Sequence, residues 1–118
     1  MLRATASAFT LACLSSTVLA ATEEDRRNCA SHQSADTRIA ACTRVIEFQA
    51  STAAQRVMAY RHRGNSYGNR NLHELANLDF EEALKLSPQD QGALNGRARS
   101  FSAIRAISIT RWPTTHNS

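Results

Sequence analysis

The spacing of the apolar residues after Asp25 is the feature that most limits what this chain can fold into. Ile39, Cys42, Val45 and Ile46 recur at intervals of three and four residues, which places them on one face of a helix. Only four glycines and two prolines occur among the 118 residues, so turn-forming positions are few. The pattern predicts an all-α protein and disfavours a sandwich of many short strands.

Local signals indicate where the first helices begin. Asp36 is the expected N-cap of a helix over residues 37–48. Ser51 or Thr52 is the expected N-cap of the next helix, because a hydroxyl can accept a bond from a free backbone N–H there.

A further helix is predicted over residues 72–86, after a tight turn at residues 68–71 in which asparagine tolerates the left-handed conformation. Ser87 and Pro88 end this helix, because the residue before a proline resists helical geometry. Its expected buried side consists of Leu75, Ala76, Leu78, Phe80, Ala83, Leu84 and Leu86.

Residues 1–20 have the layout of a secretory signal peptide. Arg3 and the amino terminus supply positive charge, residues 8–19 are apolar and uncharged, and small residues stand at the two specificity positions of a cleavage site. The apolar stretch is too short to span a bilayer. We therefore expect cleavage after Ala20, export to the periplasm or the medium, and no membrane attachment afterwards. A lipoprotein acylated at Cys13 is the alternative.

Removal of the leader leaves two cysteines, Cys29 and Cys42, in an oxidising compartment. Their spacing suits a disulfide between two short antiparallel helices, and closing such a loop contributes about 3 kcal/mol in the loop-entropy model. Two buried free thiols are an open alternative. A metal site of Cys29, His32 and Cys42 lacks a fourth ligand, so no metal is expected.

The positive charge is concentrated near the C-terminus. The net charge is +4, yet residues 21–96 hold nine basic and ten acidic residues, and no acid follows residue 96. No basic face recurs along the folded part, so a nucleic-acid partner is not expected.

The sequence contains no catalytic constellation. Its four histidines are scattered, and no nucleophile elbow, zinc-protease motif, phosphate loop or CxxC pair occurs. We expect no catalytic residue and no cofactor.

Residues 57–90 carry a large residue, a small one, an aromatic, then Ala, Phe, Ala and Pro at fixed intervals. These residues are Tyr60, Gly64, Tyr67, Ala76, Phe80, Ala83 and Pro88. The stretch resembles one tetratricopeptide repeat, and Arg63 departs from the pattern, which prefers leucine there. The resemblance implies a helical hairpin whose two helices approach closely at Gly64 and Ala76.

The pattern continues in both directions, with an offset of 38 residues upstream and the 34-residue period downstream. Adding it to the first helix of the repeat predicts the first helix of a truncated second repeat over residues 91–105. Residues 23–50 resemble a degenerate half-repeat that forms a disulfide-stapled N-terminal helical cap. The resemblance therefore implies a short array of tetratricopeptide hairpins, a fragment of a right-handed α-α superhelix.

The repeat pattern is lost after residue 105. Residues 106–118 show no helical stripe and contain Pro113, so they are expected to be a disordered tail that leaves Leu94, Ala98 and Phe101 partly exposed. With permitted codons, a one-base shift over residues 105–115 encodes Gly-Asp-Phe-Asp-His-Ala-Leu-Ala-Asp-Tyr, which fits the missing helix. One alternative is therefore a truncated, frameshifted remnant that binds nothing.

The resemblance implies a concave groove that receives a peptide or protein segment. Residues at groove-lining positions are Met58, Arg61, Asn65, Asn69 and Asn95. Arg61 and Asn65 lie four residues apart on one helix face, and a cation beside an amide can hold a carboxylate. We expect an exported protein–protein interaction module. A non-catalytic accessory to an exported enzyme is a further alternative.

Overall fold

The computed structural model describes residues 23–111, and this part of the chain is built from five helices without a strand. The helices are α1 (residues 23–30), α2 (Ala35–Glu47), α3 (Ala53–Asn69), α4 (His73–Leu86) and α5 (Gln91–Arg111). Short connections make neighbours in sequence pack together, α2 on α3, α3 on α4 and α4 on α5, while α3 and α5 share a smaller contact. The all-α prediction is confirmed.

A disulfide joins α1 to α2. Cys29 and Cys42 are bonded with their Cα atoms 4.7 Å apart, as the spacing predicted. Both are fully buried, and they form a small core with Ala41, Val45 and Ala59. The bridge therefore fixes α1 onto a surface that α2 and α3 share.

The helix caps differ in part from those expected. Ser34, rather than Asp36, is the N-cap of α2, and its hydroxyl accepts a hydrogen bond from the Thr37 N–H. Asp36 instead lies in the first helical turn, where a negative charge stabilises the helix by interacting with its dipole. Thr52 caps α3 as predicted and forms a capping box with Gln55.

The turn between α3 and α4 begins later than predicted. Residues 68 and 69 still belong to α3, and the chain reverses at Arg70 and Asn71. Asn71 has a φ of 61°, the left-handed conformation that asparagine tolerates.

The ring of Phe80 is the centre of the second core and contacts glycines on two other helices. An added Cβ at Gly64 of α3 would lie 2.9 Å from Phe80 Cε1, and one at Gly96 of α5 would lie 2.4 Å from the same atom. Ala76, Ala83 and Ala93 are fully buried in this core. Small residues thus allow three helices to close around one aromatic side chain.

The buried side of α4 is narrower than predicted. Leu75, Leu78 and Leu86 are 44%, 56% and 44% exposed, although the periodicity placed all three in the core. Ala76, Phe80, Ala83 and Leu84 occupy the arc that faces α3 and α5. Leu75 and Leu86 each border an open recess beside α5 and α3 respectively, so they lie at the edge of this arc.

A buried ion pair connects α2, α3 and α4. Arg63 Nε and Nη2 donate to the two carboxylate oxygens of Asp79 at 2.8 and 2.7 Å, and Nη1 donates to Thr43 Oγ1 at 2.9 Å. The Arg63 guanidinium also lies 5.7 Å from the Tyr60 ring centre and 5.9 Å from that of Tyr67. Burial raises the pKa of Asp79, and the hydrogen bonds from Arg63 oppose that rise.

Helix α5 continues to Arg111, six residues past the predicted boundary at 105. Between Gly96 and Pro113 the sequence holds no glycine or proline, and adding a residue to an existing helix costs little. Residues 112–118 of the predicted tail lie outside the described residues, as does the predicted signal peptide. Ala98 and Phe101 are exposed and Leu94 is half-buried, in line with the expectation.

We predict that Arg63→Leu lowers the free energy of unfolding by about 3 kcal/mol, because it leaves the Asp79 carboxylate buried without its partner. The double variant Arg63→Leu, Asp79→Leu removes both charges, so its loss is expected to be smaller than that of the single variant. Urea denaturation of the three proteins measures this. A single variant as stable as the original chain would show that the pair is not buried as described.

We predict that Gly96→Ala lowers the free energy of unfolding by about 1–3 kcal/mol, because the new methyl group displaces the Phe80 ring. Gly68→Ala is the matched control, since a Cβ there meets nothing within 4 Å. The control should raise stability by roughly 0.5–1 kcal/mol through helix propensity. Thermal melts that shift equally for both variants would contradict the proposed packing.

Candidate functional site

A polar recess of about 190 Å³ opens where α3, the start of α4 and α5 meet. Its lining consists of Asn65, Gly68, Asn69, His73, Phe80, Gly96, Arg99 and Ser100. Gly68 contributes no side chain, and an added Cβ there would meet nothing within 4 Å, so the space beside it stays open. The set includes amides, an imidazole, a hydroxyl and a guanidinium but no carboxylate, which makes the recess suitable for an anionic or hydrogen-bonding ligand.

Arg99 and Asn65 form the centre of this recess. Arg99 Nη2 donates to Asn65 Oδ1 at 3.1 Å across the gap between α5 and α3. A guanidinium has five N–H donors, and within residues 23–111 Arg99 makes no ion pair and no second side-chain hydrogen bond. Its remaining donors are therefore free to bind a ligand.

Ser100 and His73 complete the polar lining. Ser100 is 4% exposed and lines the recess. His73 is half-buried at the start of α4. No hydrogen bond joins these two side chains in the described part of the chain, although a serine nucleophile and its base would need one.

Arg61 does not belong to the recess. Its Nη1 pairs with Asp90 Oδ1 at 3.1 Å, and Asp90 Oδ2 accepts the Ala93 N–H at 3.0 Å at the start of α5. The Arg61 side chain also covers Gly92, where an added Cβ would lie 2.4 Å from Arg61 Cδ. Arg61 therefore joins α3 to the start of α5, and its guanidinium is paired with the Asp90 carboxylate.

The structure thus brings together only some of the five predicted groove residues. Asn65 and Asn69 line the polar recess, whereas Met58 and Arg61 line a second recess of about 430 Å³ with Val57 and Leu86. Asn95 is exposed on α5 and lines neither recess.

The cation that contacts Asn65 is Arg99, which the sequence reasoning missed. Arg99 follows Asn65 by 34 residues, the length of the proposed repeat. Extending the period from Asn65 itself would therefore have found the partner.

His62 lies outside the recess, between α3 and α2. Its Nδ1 lies 3.2 Å from Arg38 Nη2, so a neutral ring can accept a hydrogen bond from the guanidinium. Burial lowers the pKa of His62, and the positive charges of Arg38 and Arg61 lower it further. The folded chain therefore favours the neutral form of the imidazole.

Two other kinds of site are absent from residues 23–111. No group of three or more histidine, cysteine or acidic side chains there is arranged to hold a metal ion. Within the same range, no helix has both the length and the apolar content needed to cross a bilayer.

We predict that the free energy of unfolding falls as the pH drops below about 6.5, the ordinary pKa of histidine. Below that pH, His62 binds a proton more readily in the unfolded chain than in the folded chain. The stability that the neutral ring contributes is therefore fully present above pH 6.5, and it is lost as the pH falls towards the lowered pKa of the folded chain. Denaturation of a His62→Gln variant between pH 5 and 8 should show a flatter profile. The exposed His32 supplies the control, and an effect of His32→Gln as large as that of His62→Gln would contradict the assignment.

Comparisons of the chain with protein-family models, with curated proteins and with solved structures gave no match. They therefore assign neither a family nor an activity.

Proposed function

We propose that this protein is an exported, non-catalytic interaction module that binds a peptide segment ending in a free carboxylate. In this proposal α3 and α4 form one tetratricopeptide hairpin, and α5 is the first helix of the next. The seven pattern residues, and the close packing of Gly64 on the Phe80 ring, support the assignment. The disulfide supports export, because such bonds persist in oxidising compartments.

The observation that carries the proposal is the contact of Arg99 with Asn65 in a recess without a carboxylate. A guanidinium can form two parallel, charge-assisted hydrogen bonds to a carboxylate, and an amide beside it can donate another. Ser100 adds a buried hydroxyl at the same place. These groups together fit one carboxylate better than a neutral peptide bond.

The second recess defines what the rest of the peptide has to contain. Met58 and Asn65 are seven residues apart on α3, hence on one helix face and about 10 Å apart. An extended peptide covers that distance in about three residues. The lining of the second recess is mostly apolar, with Ala53, Ala54, Val57, Met58 and Leu86 beside the polar Arg61, Ser87 and Asp90. The preferred ligand therefore has an apolar side chain about three residues before its C-terminus.

The test compares two pools of hexapeptides that have leucine three residues before the end. One pool has a free C-terminal carboxylate and the other is amidated at the C-terminus. We predict that the acid pool binds more tightly, and that Arg99→Gln weakens its binding by on the order of tenfold while hardly affecting the amidated pool. Titrations followed in ¹H–¹⁵N spectra give both affinities.

Arg105→Gln is the matched control, because Arg105 is an exposed arginine on the same helix that lines neither recess. It should leave the preference for the acid pool unchanged. Equal binding of the two pools by the original chain would reject the carboxylate site. If Arg105→Gln weakens binding of the acid pool as much as Arg99→Gln does, the effect comes from net charge and not from a specific carboxylate site.

A further inference from the structure

A second face of α5 is apolar and open. Glu81 of α4 and four residues of α5, Leu94, Arg97, Ala98 and Phe101, line a recess of about 330 Å³, which we call the Phe101 face. Phe101 is 61% exposed. One residue step turns a helix by about 100°, so Phe101 points away from the peptide recess that Ser100 lines. The two surfaces are therefore separate.

The apolar residues of this face form a continuous strip. Leu94, Ala98 and Phe101 follow one another at intervals of four and three residues, the spacing of a helix side that packs on another element. No helix in residues 23–111 covers this strip at Phe101. An exposed aromatic beside a recess is typical of the anchor residues that dominate protein interfaces.

The charges on the Phe101 face indicate what covers it. Glu81 on α4 accepts a hydrogen bond from Asn77 Nδ2 at 2.9 Å, and neither Glu81 nor Arg97 on α5 makes an ion pair within residues 23–111. An acidic partner helix would bring like charge to Glu81, and a basic one would bring like charge to Arg97. A surface with one charge of each sign around an apolar strip is complementary to itself.

We propose that the Phe101 face binds a second copy of this chain in a two-fold symmetric dimer. In such an interface the same patch serves both subunits, so each contact occurs twice. Phe101 of each copy enters the recess of the other, and Glu81 of each copy pairs with Arg97 of the other. The dimer presents two peptide recesses on one particle, but its formation does not depend on peptide binding.

Sedimentation velocity over a range of concentrations tests the dimer, with the chain produced in an oxidising compartment and its mass determined. We expect a reversible monomer–dimer equilibrium, and Phe101→Glu should raise its dissociation constant by on the order of tenfold or more. Ile109→Glu is the control, since Ile109 is 70% exposed on the same helix but lines none of the recesses described. It should leave the dissociation constant unchanged.

Charge reversal tests the symmetry. Glu81→Arg and Arg97→Glu should each weaken self-association, because each places like charges opposite one another twice. An equimolar mixture of the two variants should form a heterodimer more tightly than either forms a homodimer, because every opposed pair is then of opposite sign. Circular dichroism melts of each variant verify that it is folded.

Three results would overturn the proposal: a monomer at every concentration, an equal effect of Phe101→Glu and Ile109→Glu, or no preference for the heterodimer in the mixture. If Arg99→Gln loses carboxylate binding but still forms the dimer, the result bears on the proposed peptide site alone and leaves the dimer proposal standing.

Discussion

The contact of the Phe80 ring with two glycines is the constraint on which the rest of the structure depends. Gly64 of α3 and Gly96 of α5 have no space for a side chain, because Phe80 of α4 occupies it. This ring sets the separation of α3 and α5. Their separation in turn allows Asn65 and Arg99 to meet at a recess of about 190 Å³.

The ion pair of Arg63 with Asp79 supplies a second, polar connection between the helices. A buried pair of charges gains little over well-packed apolar residues, but removing one partner is costly. The tetratricopeptide pattern prefers leucine at the position of Arg63, so the resemblance alone would suggest that leucine stabilises the fold. The structure supports the opposite conclusion, because Asp79 is 4% exposed and its two oxygens are held by Arg63.

The residues of the candidate site were only partly predictable from the sequence. Periodicity identified the face of α3 that contains Asn65 and Asn69, since residues four apart share a helix face. It also paired Arg61 with Asn65 on that face, although Arg61 forms an ion pair with Asp90. A long side chain can pair with any of several groups, and tertiary packing determines which of them lies within reach. Periodicity on one helix face therefore missed Arg99. The 34-residue spacing points to Arg99, but only the packing of α5 on α3 shows that it contacts the Asn65 amide.

The sequence by itself determined the all-α class, the pairing of Cys29 with Cys42, the Thr52 cap and the left-handed turn at Asn71, because each depends on short-range spacing or backbone preference. Tertiary structure alone decided the exposure of Leu75, Leu78 and Leu86 and the contact of Asn65 with Arg99 rather than with Arg61. Exposure depends on which elements cover a helix. An apolar stripe shows which side of a helix can be buried, and only the arrangement of its neighbours determines how much of that side is covered.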